Sequence, residues 1–133
     1  MKALLDRARA WLDNDPDADT RRELSLLLEH PEANLVELTD RFAGPLEFGT
    51  AGLRGVIAAG ENRMNRAVVR RTTFGLGHEL LAHASDMPEW SNASGQPPLV
   101  VIGYDGRRQS DVFARDAALV LTKMGVNVAL FPA

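Results

Sequence analysis

The sequence predicts an α/β fold: a layered mixed sheet with a βαβαβ core, preceded by N-terminal helices. Three observations carry this. Residues 1–43 place apolar side chains at helical spacing. After Gly44-Pro45 the pattern changes to short extended stretches alternating with helical ones. Leu99-Val100-Val101-Ile102 is a continuous apolar run followed by a helical stretch and a second apolar run, as in parallel βαβ units with right-handed crossovers. The division expected is a helical segment over 1–43 and an α/β domain over 44–133.

In the helical segment, Leu4, Leu5, Ala8, Trp11 and Leu12 form the first apolar face. Pro16 stops that helix within a turn from Asp13 to Asp19. Thr20-Arg21-Arg22-Glu23 reads as a capping box, and Leu24, Leu27 and Leu28 make the next stripe. A short third helix follows Pro31, with Leu35, Leu38 and Phe42 inward.

From Leu46 to Ile57 the chain reads as extended, with a glycine-rich turn at Gly49–Gly55. Asn65 is the expected N-cap of a helix reaching about His83, with Val69, Thr73, Leu76 and Leu80 on one face. Gly75 and Gly77 each weaken that helix by about 1 kcal/mol relative to Ala, which suggests close packing there. Residues 85–98 read as a polar, Pro-rich loop. Strand Leu99–Ile102 is expected to be covered on both faces. A loop Gly103–Gln109 leads to a helix capped by Ser110, with Asp111 in its first turn. Phe113, Ala117, Val120, Leu121 and Met124 face the core. Gly125 supplies a left-handed C′ position, and Val126–Phe131 is the last strand.

Composition narrows the function classes. The chain has 133 residues, 45% hydrophobic and 25% charged, with a net charge of −3 and no Cys. This suits one folded domain. It gives no case for bulk nucleic-acid binding, a disulfide framework or a thiolate metal site. No apolar run approaches the roughly 18 residues of a membrane span. Asp6, Arg7 and Arg9 interrupt any signal-peptide core, so a cytoplasmic setting is expected, and Asn92-Ala93-Ser94 reads as plain loop. Charge is uneven. Residues 1–46 hold six Lys/Arg and ten Asp/Glu, a net of −4. Residues 54–71 hold Arg54, Arg63, Arg66, Arg70 and Arg71 against Glu61 alone, a net of +4.

Some motifs carry no chemistry. His78 and His83 are five apart, about 140° around a helix, so they cannot form a zinc-protease pair. Gly75-Leu76-Gly77 lacks the third glycine of a dinucleotide fingerprint. Asp15, Asp17 and Asp19 alternate as cation ligands can, but Thr20 and Leu26 stand where an EF-hand needs Gly and Glu. They read as a helix-breaking turn and not as a metal site. Two loops remain. Gly49-Thr50-Ala51-Gly52-Leu53-Arg54-Gly55 allows close backbone approach to an anion, with Arg54 as a forked donor; a plain glycine bend is the alternative. Gly103-Tyr104-Asp105-Gly106-Arg107-Arg108-Gln109-Ser110 joins a strand's C-terminal end to a helix N-terminus, where α/β sheets place ligands. Its alternative is an ordinary turn in which Asp105 pairs with an Arg.

Phe48-Gly49-Thr50-Ala51-Gly52-Leu53-Arg54-Gly55 resembles the opening signature of the α-D-phosphohexomutase family. Asn62-Arg63-Met64-Asn65, Val69-Arg70-Arg71-Thr72 and Gly75-Leu76 are similar to the next segment in its phosphoglucomutase/phosphopentomutase branch. Val101-Ile102-Gly103-Tyr104-Asp105-Gly106-Arg107, with Ser110 and Phe113, resembles the family's second strand, loop and helix. The resemblance implies the first of four domains around a cleft. It implies a phosphoserine enzyme that moves a phosphoryl group between the 1- and 6- (or 5-) positions of a sugar phosphate through a bisphosphate, assisted by Mg²⁺. A sugar bisphosphate activator and the remaining domains of the same enzyme are the implied partners.

By the same resemblance Arg54 faces the reacting phosphate, with Thr50 and Gly52 shaping the pocket and Arg107 a further phosphate-side candidate. Arg63, Arg66, Arg70 and Arg71 read as structural or solvated. No catalytic residue and no metal ligand is expected within the chain. The phosphoserine loop, of Thr-Ala-Ser-His-Asn-Pro form, is expected beyond Ala133, and the Asp-x-Asp-x-Asp-Arg metal loop in the second domain. The chain by itself is therefore expected to be inactive, a truncated piece of a longer enzyme. The alternative is a non-catalytic sugar-phosphate or anion-binding module, or a regulatory subunit.

Overall fold

A computed structural model describes residues 1–131. The chain forms two compact units, Met1–Val68 and Val69–Ala133.

The first unit opens with helices α1 (Lys2–Asn14), α2 (Ala18–Glu29) and α3 (Leu35–Arg41). Their apolar faces meet, together with Ala59 from the turn before α4, in a core of Ala8, Leu24, Leu38, Phe42 and Ala59, with Leu4, Leu5, Trp11, Leu12, Leu27 and Leu28 packed around it. Trp11 meets Phe42 edge to face, with centroids 6.2 Å apart. Fully burying a leucine such as Leu24 or Leu38 contributes about 1.5–3 kcal/mol. Leu35 is the exception to the expected inward set: it begins α3 and is 37% exposed.

The cap of α2 lies three residues before the predicted one. Asp17 is the N-cap, and its carboxylate accepts from the Asp19 N–H at 2.9 Å. Thr20 is already inside the helix. Its hydroxyl donates to the Asp15 carboxylate and to the Asp17 carbonyl. Glu23, the expected second half of a capping box, reaches instead to Arg41 on α3. The Asp alternation thus serves the helix start: Asp15, buried, also accepts from the Asp17 N–H at 3.0 Å.

A two-stranded antiparallel hairpin follows, β1 (Phe48–Gly49) with β2 (Gly52–Leu53). The returning chain makes a single bridge between Ile57 and Met64. Asn65 caps α4 (Arg66–His83) as predicted: its Oδ1 accepts from the Val68 N–H at 2.9 Å. Its amide also donates to the carbonyls of Ala58 (2.9 Å) and Gly60 (2.8 Å), so the cap is buried and satisfied.

The second unit contains most of α4, then β3 (Leu99–Ile102), α5 (Ser110–Lys123) and β4 (Asn127–Leu130). Residues between α4 and β3 include two single 3₁₀ turns, Ala84–Asp86 and Pro88–Trp90. β3 and β4 pair in parallel with Leu99 opposite Asn127 and Ile102 opposite Leu130, and α5 packs on β4. Gly125 (φ +90°) ends α5 in a Schellman turn: its N–H bonds Thr122 O at 3.1 Å, and the Val126 N–H bonds Leu121 O at 3.0 Å.

The α/β class with preceding helices is the observed one. The described strands pair as two separate two-stranded sheets rather than one continuous sheet, because the short hairpin bonds only to itself. β3 is not covered on both faces: Val101 is 56% exposed, since a single helix can cover only one face of a βαβ unit. On α4, Leu76 is 49% exposed. The contact line runs through Gly77 instead, where a Cβ would meet Met124 and Leu121. Gly75 faces open space, so close packing explains only one of the two glycines. No helix is long and apolar enough to cross a membrane.

Candidate functional site

The two candidate loops lie in different units. The first is the hairpin. Phe48 pairs with Leu53 and Gly49 with Gly52, leaving Thr50 and Ala51 as the exposed turn. Gly52 adopts φ +94°, a conformation that L side chains rarely adopt. Gly55 is needed for a different reason: a Cβ there would lie 2.8 Å from Leu46 Cδ1 and 3.4 Å from the Met64 nitrogen. Between these glycines stands Arg54. It is exposed and makes no hydrogen bond or ion pair with any described residue. Its guanidinium carries five N–H donors, and Phe48 and Val56 in the same segment are exposed as well. This is a fork available to an anion.

The second loop, Gly103 to Ser110, is internally bonded. Asp105 accepts from the Arg107 backbone N–H at 3.0 Å and from Arg107 Nε at 2.8 Å. Those hydrogen bonds hold the Asp105 carboxyl below its usual range, and Asp105 in turn raises the Arg107 pKa. Arg107 is thus occupied, as in an ordinary βα turn, while its neighbour Arg108 is exposed and has no partner among the described residues. Ser110 is not the cap of α5. The N-cap is Gln109, which takes a left-handed φ of 69°, and the Ser110 hydroxyl accepts from the Asp105 N–H at 3.2 Å. The hydroxyl is drawn back into the loop, and Asp111 in the first turn pairs with Arg115 at 3.3 Å.

The arginine-rich run does not form one positive patch. Arg63 pairs with Asp40 at 2.5 Å and Arg70 with the buried Asp116 at 2.9 Å, whereas Arg71 is exposed. His83 pairs with Glu79 on the same helix, and His78 lies beside Phe74. Among the described residues, no group of three or more His, Cys, Asp or Glu could hold a metal ion.

Sequence reasoning missed one cluster in the first unit. Arg41 is nearly buried, and donates to Glu23 at 2.5 Å, to Glu37 at 2.8 Å and to the Ala59 carbonyl at 3.0 Å. Burial works against its charge, but the two carboxylates outweigh that and raise its pKa. The only sequence signal was the i, i+4 spacing of Glu37 and Arg41.

Residues 45–133 match the family model described as phosphoglucomutase/phosphomannomutase, alpha/beta/alpha domain I. The chain belongs to this family. A phosphoglucomutase family relative from Staphylococcus aureus (strain bovine RF122 / ET3-1), itself named phosphoglucomutase, is 36% identical over 95 residues, covering 71% of this chain and 15% of that protein. A phosphopentomutase from Mus musculus is 36% identical over 138 residues, covering 98% of this chain and 21% of its own length. The chain therefore spans only a small part of these relatives. The mouse alignment takes in the N-terminal helices, which the phosphoglucomutase/phosphomannomutase domain match does not reach. No solved structure matches the chain.

Proposed function

We propose that the chain is the N-terminal part of a sugar-phosphate mutase, an isomerase of carbohydrate metabolism in a cytoplasmic setting. Residues 1–43 would be its helical lead-in and 44–133 its first α/β domain. The reaction moves a phosphoryl group between the 1- and 6- (or 5-) positions of a hexose (or pentose) phosphate, through a phosphoserine supplied by a further part of the protein and a sugar bisphosphate.

The observation that carries this reading is the guanidinium of Arg54, without a partner among the described residues and next to a glycine hairpin within the family-matched residues. A moving phosphoryl group spreads negative charge over its equatorial oxygens, so catalysis is largely positioning and charge stabilisation. Arg54 forks onto two of those oxygens and cannot lose its charge. Thr50, exposed in the same turn, offers a hydroxyl, and Gly52 has open space where a side chain would stand. Arg107, tied to Asp105, acts by shaping its own loop. The Mg²⁺ implied by the family has no fitting ligand set among the described residues, and Asp15 and Asp17 serve as local caps.

The test is a coupled assay on the full-length protein that contains this chain, with glucose 1-phosphate or ribose 1-phosphate and a bisphosphate activator. Turnover that falls sharply in Arg54→Ala supports the proposal. Tight phosphate binding without turnover would favour a non-catalytic module instead.

A further inference from the structure

Within the first unit, the segment bearing Arg54 runs from Leu46 to Met64, and its base is gripped by all three N-terminal helices. From α1, Arg7 pairs with Glu61. From α2, the Glu23 carboxylate accepts the Ala59 N–H at 3.2 Å. From α3, Arg41 donates to the Ala59 carbonyl at 3.0 Å, and its own carbonyl accepts the Asn62 N–H at 3.0 Å. Asp40 takes Arg63 at 2.5 Å and, through its carbonyl, the Asn62 side chain at 3.0 Å. The turn so held carries the stem of the hairpin. The Leu46 N–H bonds Glu61 O at 3.3 Å on the outgoing side, and the Met64 N–H bonds Val56 O at 2.8 Å on the return. Gly55 lies against both Leu46 and Met64.

Resting on the reading of Arg54 given above, we propose that Arg41 is a positioning residue for Arg54. It fixes Ala59 and Asn62, these fix the stem through Glu61 and Met64, and the stem aims the guanidinium. The centre of the device, Glu23–Arg41–Glu37, lies outside the residues matched by the family domain. The planar fork of Arg41 meets two carboxylates and a carbonyl at once, which a lysine cannot reproduce. Misplacement of a binding group by about 1 Å costs on the order of 100-fold in rate.

Two measurements on Arg41→Lys test this. In the 133-residue chain, backbone ¹⁵N order parameters should fall toward the flexible range, below about 0.6, at residues 48–55, while the helices stay near about 0.85. In the full-length protein, kcat should fall roughly 10- to 100-fold with KM little changed, and the same substitution should cost almost nothing further in an Arg54→Ala background. A purely structural Arg41 would lower the melting temperature, leave residues 48–55 ordered and cost the same factor in both backgrounds. Either of the last two results overturns the proposal. If Arg41→Lys does not fold, Glu23→Gln reads the same quantities, since it keeps an acceptor for Ala59 and removes the charge facing Arg41. If Arg54→Ala leaves turnover intact, the reading of Arg54 fails, whereas the order parameters still judge the grip of Arg41 on the loop.

Discussion

A Cβ placed on Gly60 would lie 2.8 Å from the carbonyl oxygen of Arg41 and 2.9 Å from its Cβ. Gly60 also holds a φ of +121°. The close approach lets the 59–63 turn sit directly on the end of α3.

Gly60→Ala should therefore destabilise the first unit. A strained φ costs about 1–3 kcal/mol and overpacking about 1–3 more. Because the obstructing atoms include backbone, no side-chain rotation relieves them. A thermal melt of the variant should show a loss of several degrees; an unchanged melt would refute the packing described.

Gly75 and Gly77 should respond differently to alanine. At Gly75 nothing lies within 4 Å of the added Cβ, so the helix gain of about 0.5–1 kcal/mol should appear in full. At Gly77 the same Cβ would lie 2.7 Å from Met124 Sδ and 3.0 Å from Leu121 Cδ2, so part or all of that gain is offset. Denaturant unfolding should rank Gly75→Ala above wild type and above Gly77→Ala.

Arg54→Ala should leave the fold intact, because its side chain makes no bond within the described chain. If Arg54 holds the transferring phosphoryl group as proposed, its removal in the full-length protein should cost on the order of 3–4 kcal/mol, a factor of hundreds in turnover. Melting and kinetics measured together decide it. A collapsed melt would instead make Arg54 structural. Arg54→Lys, which keeps the charge and loses the fork, should retain a large defect.

Asp105 should titrate below the ordinary carboxylate range in an NMR pH series, owing to its hydrogen bonds from Arg107. The sign follows from linkage. A depressed folded-state pKa contributes stability above the unfolded value, and that contribution is lost as pH falls through the folded value. The loop should thus loosen only in acid. In Arg107→Ala the Asp105 titration should move upward toward the usual range; no movement would mean the pair does not persist in solution.

The sequence by itself determined what depends on near neighbours. The helices, the Asn65 cap, the Gly125 stop and the run Leu99–Ile102 are written in residues a few positions apart, so local chemistry suffices to read them. It also determined the family, through the ordered loops around Arg54 and Arg107. Where two local solutions competed, tertiary structure chose. Thr20 and Asp17 are both good caps, and the choice left Glu23 to pair with Arg41, 18 residues away. Leu76 and Gly77 are adjacent, and the contact with α5 runs through the glycine. Only the folded chain decided which arginines are paired: Arg63 and Arg70 have partners 23 and 46 residues distant, while Arg54 has none among the described residues. A charge in sequence has no fixed meaning until folding brings or withholds its counter-charge, because a hydrogen bond needs contact at about 3 Å and a screened Coulomb energy fades over about 10 Å, and sequence separation does not measure that distance.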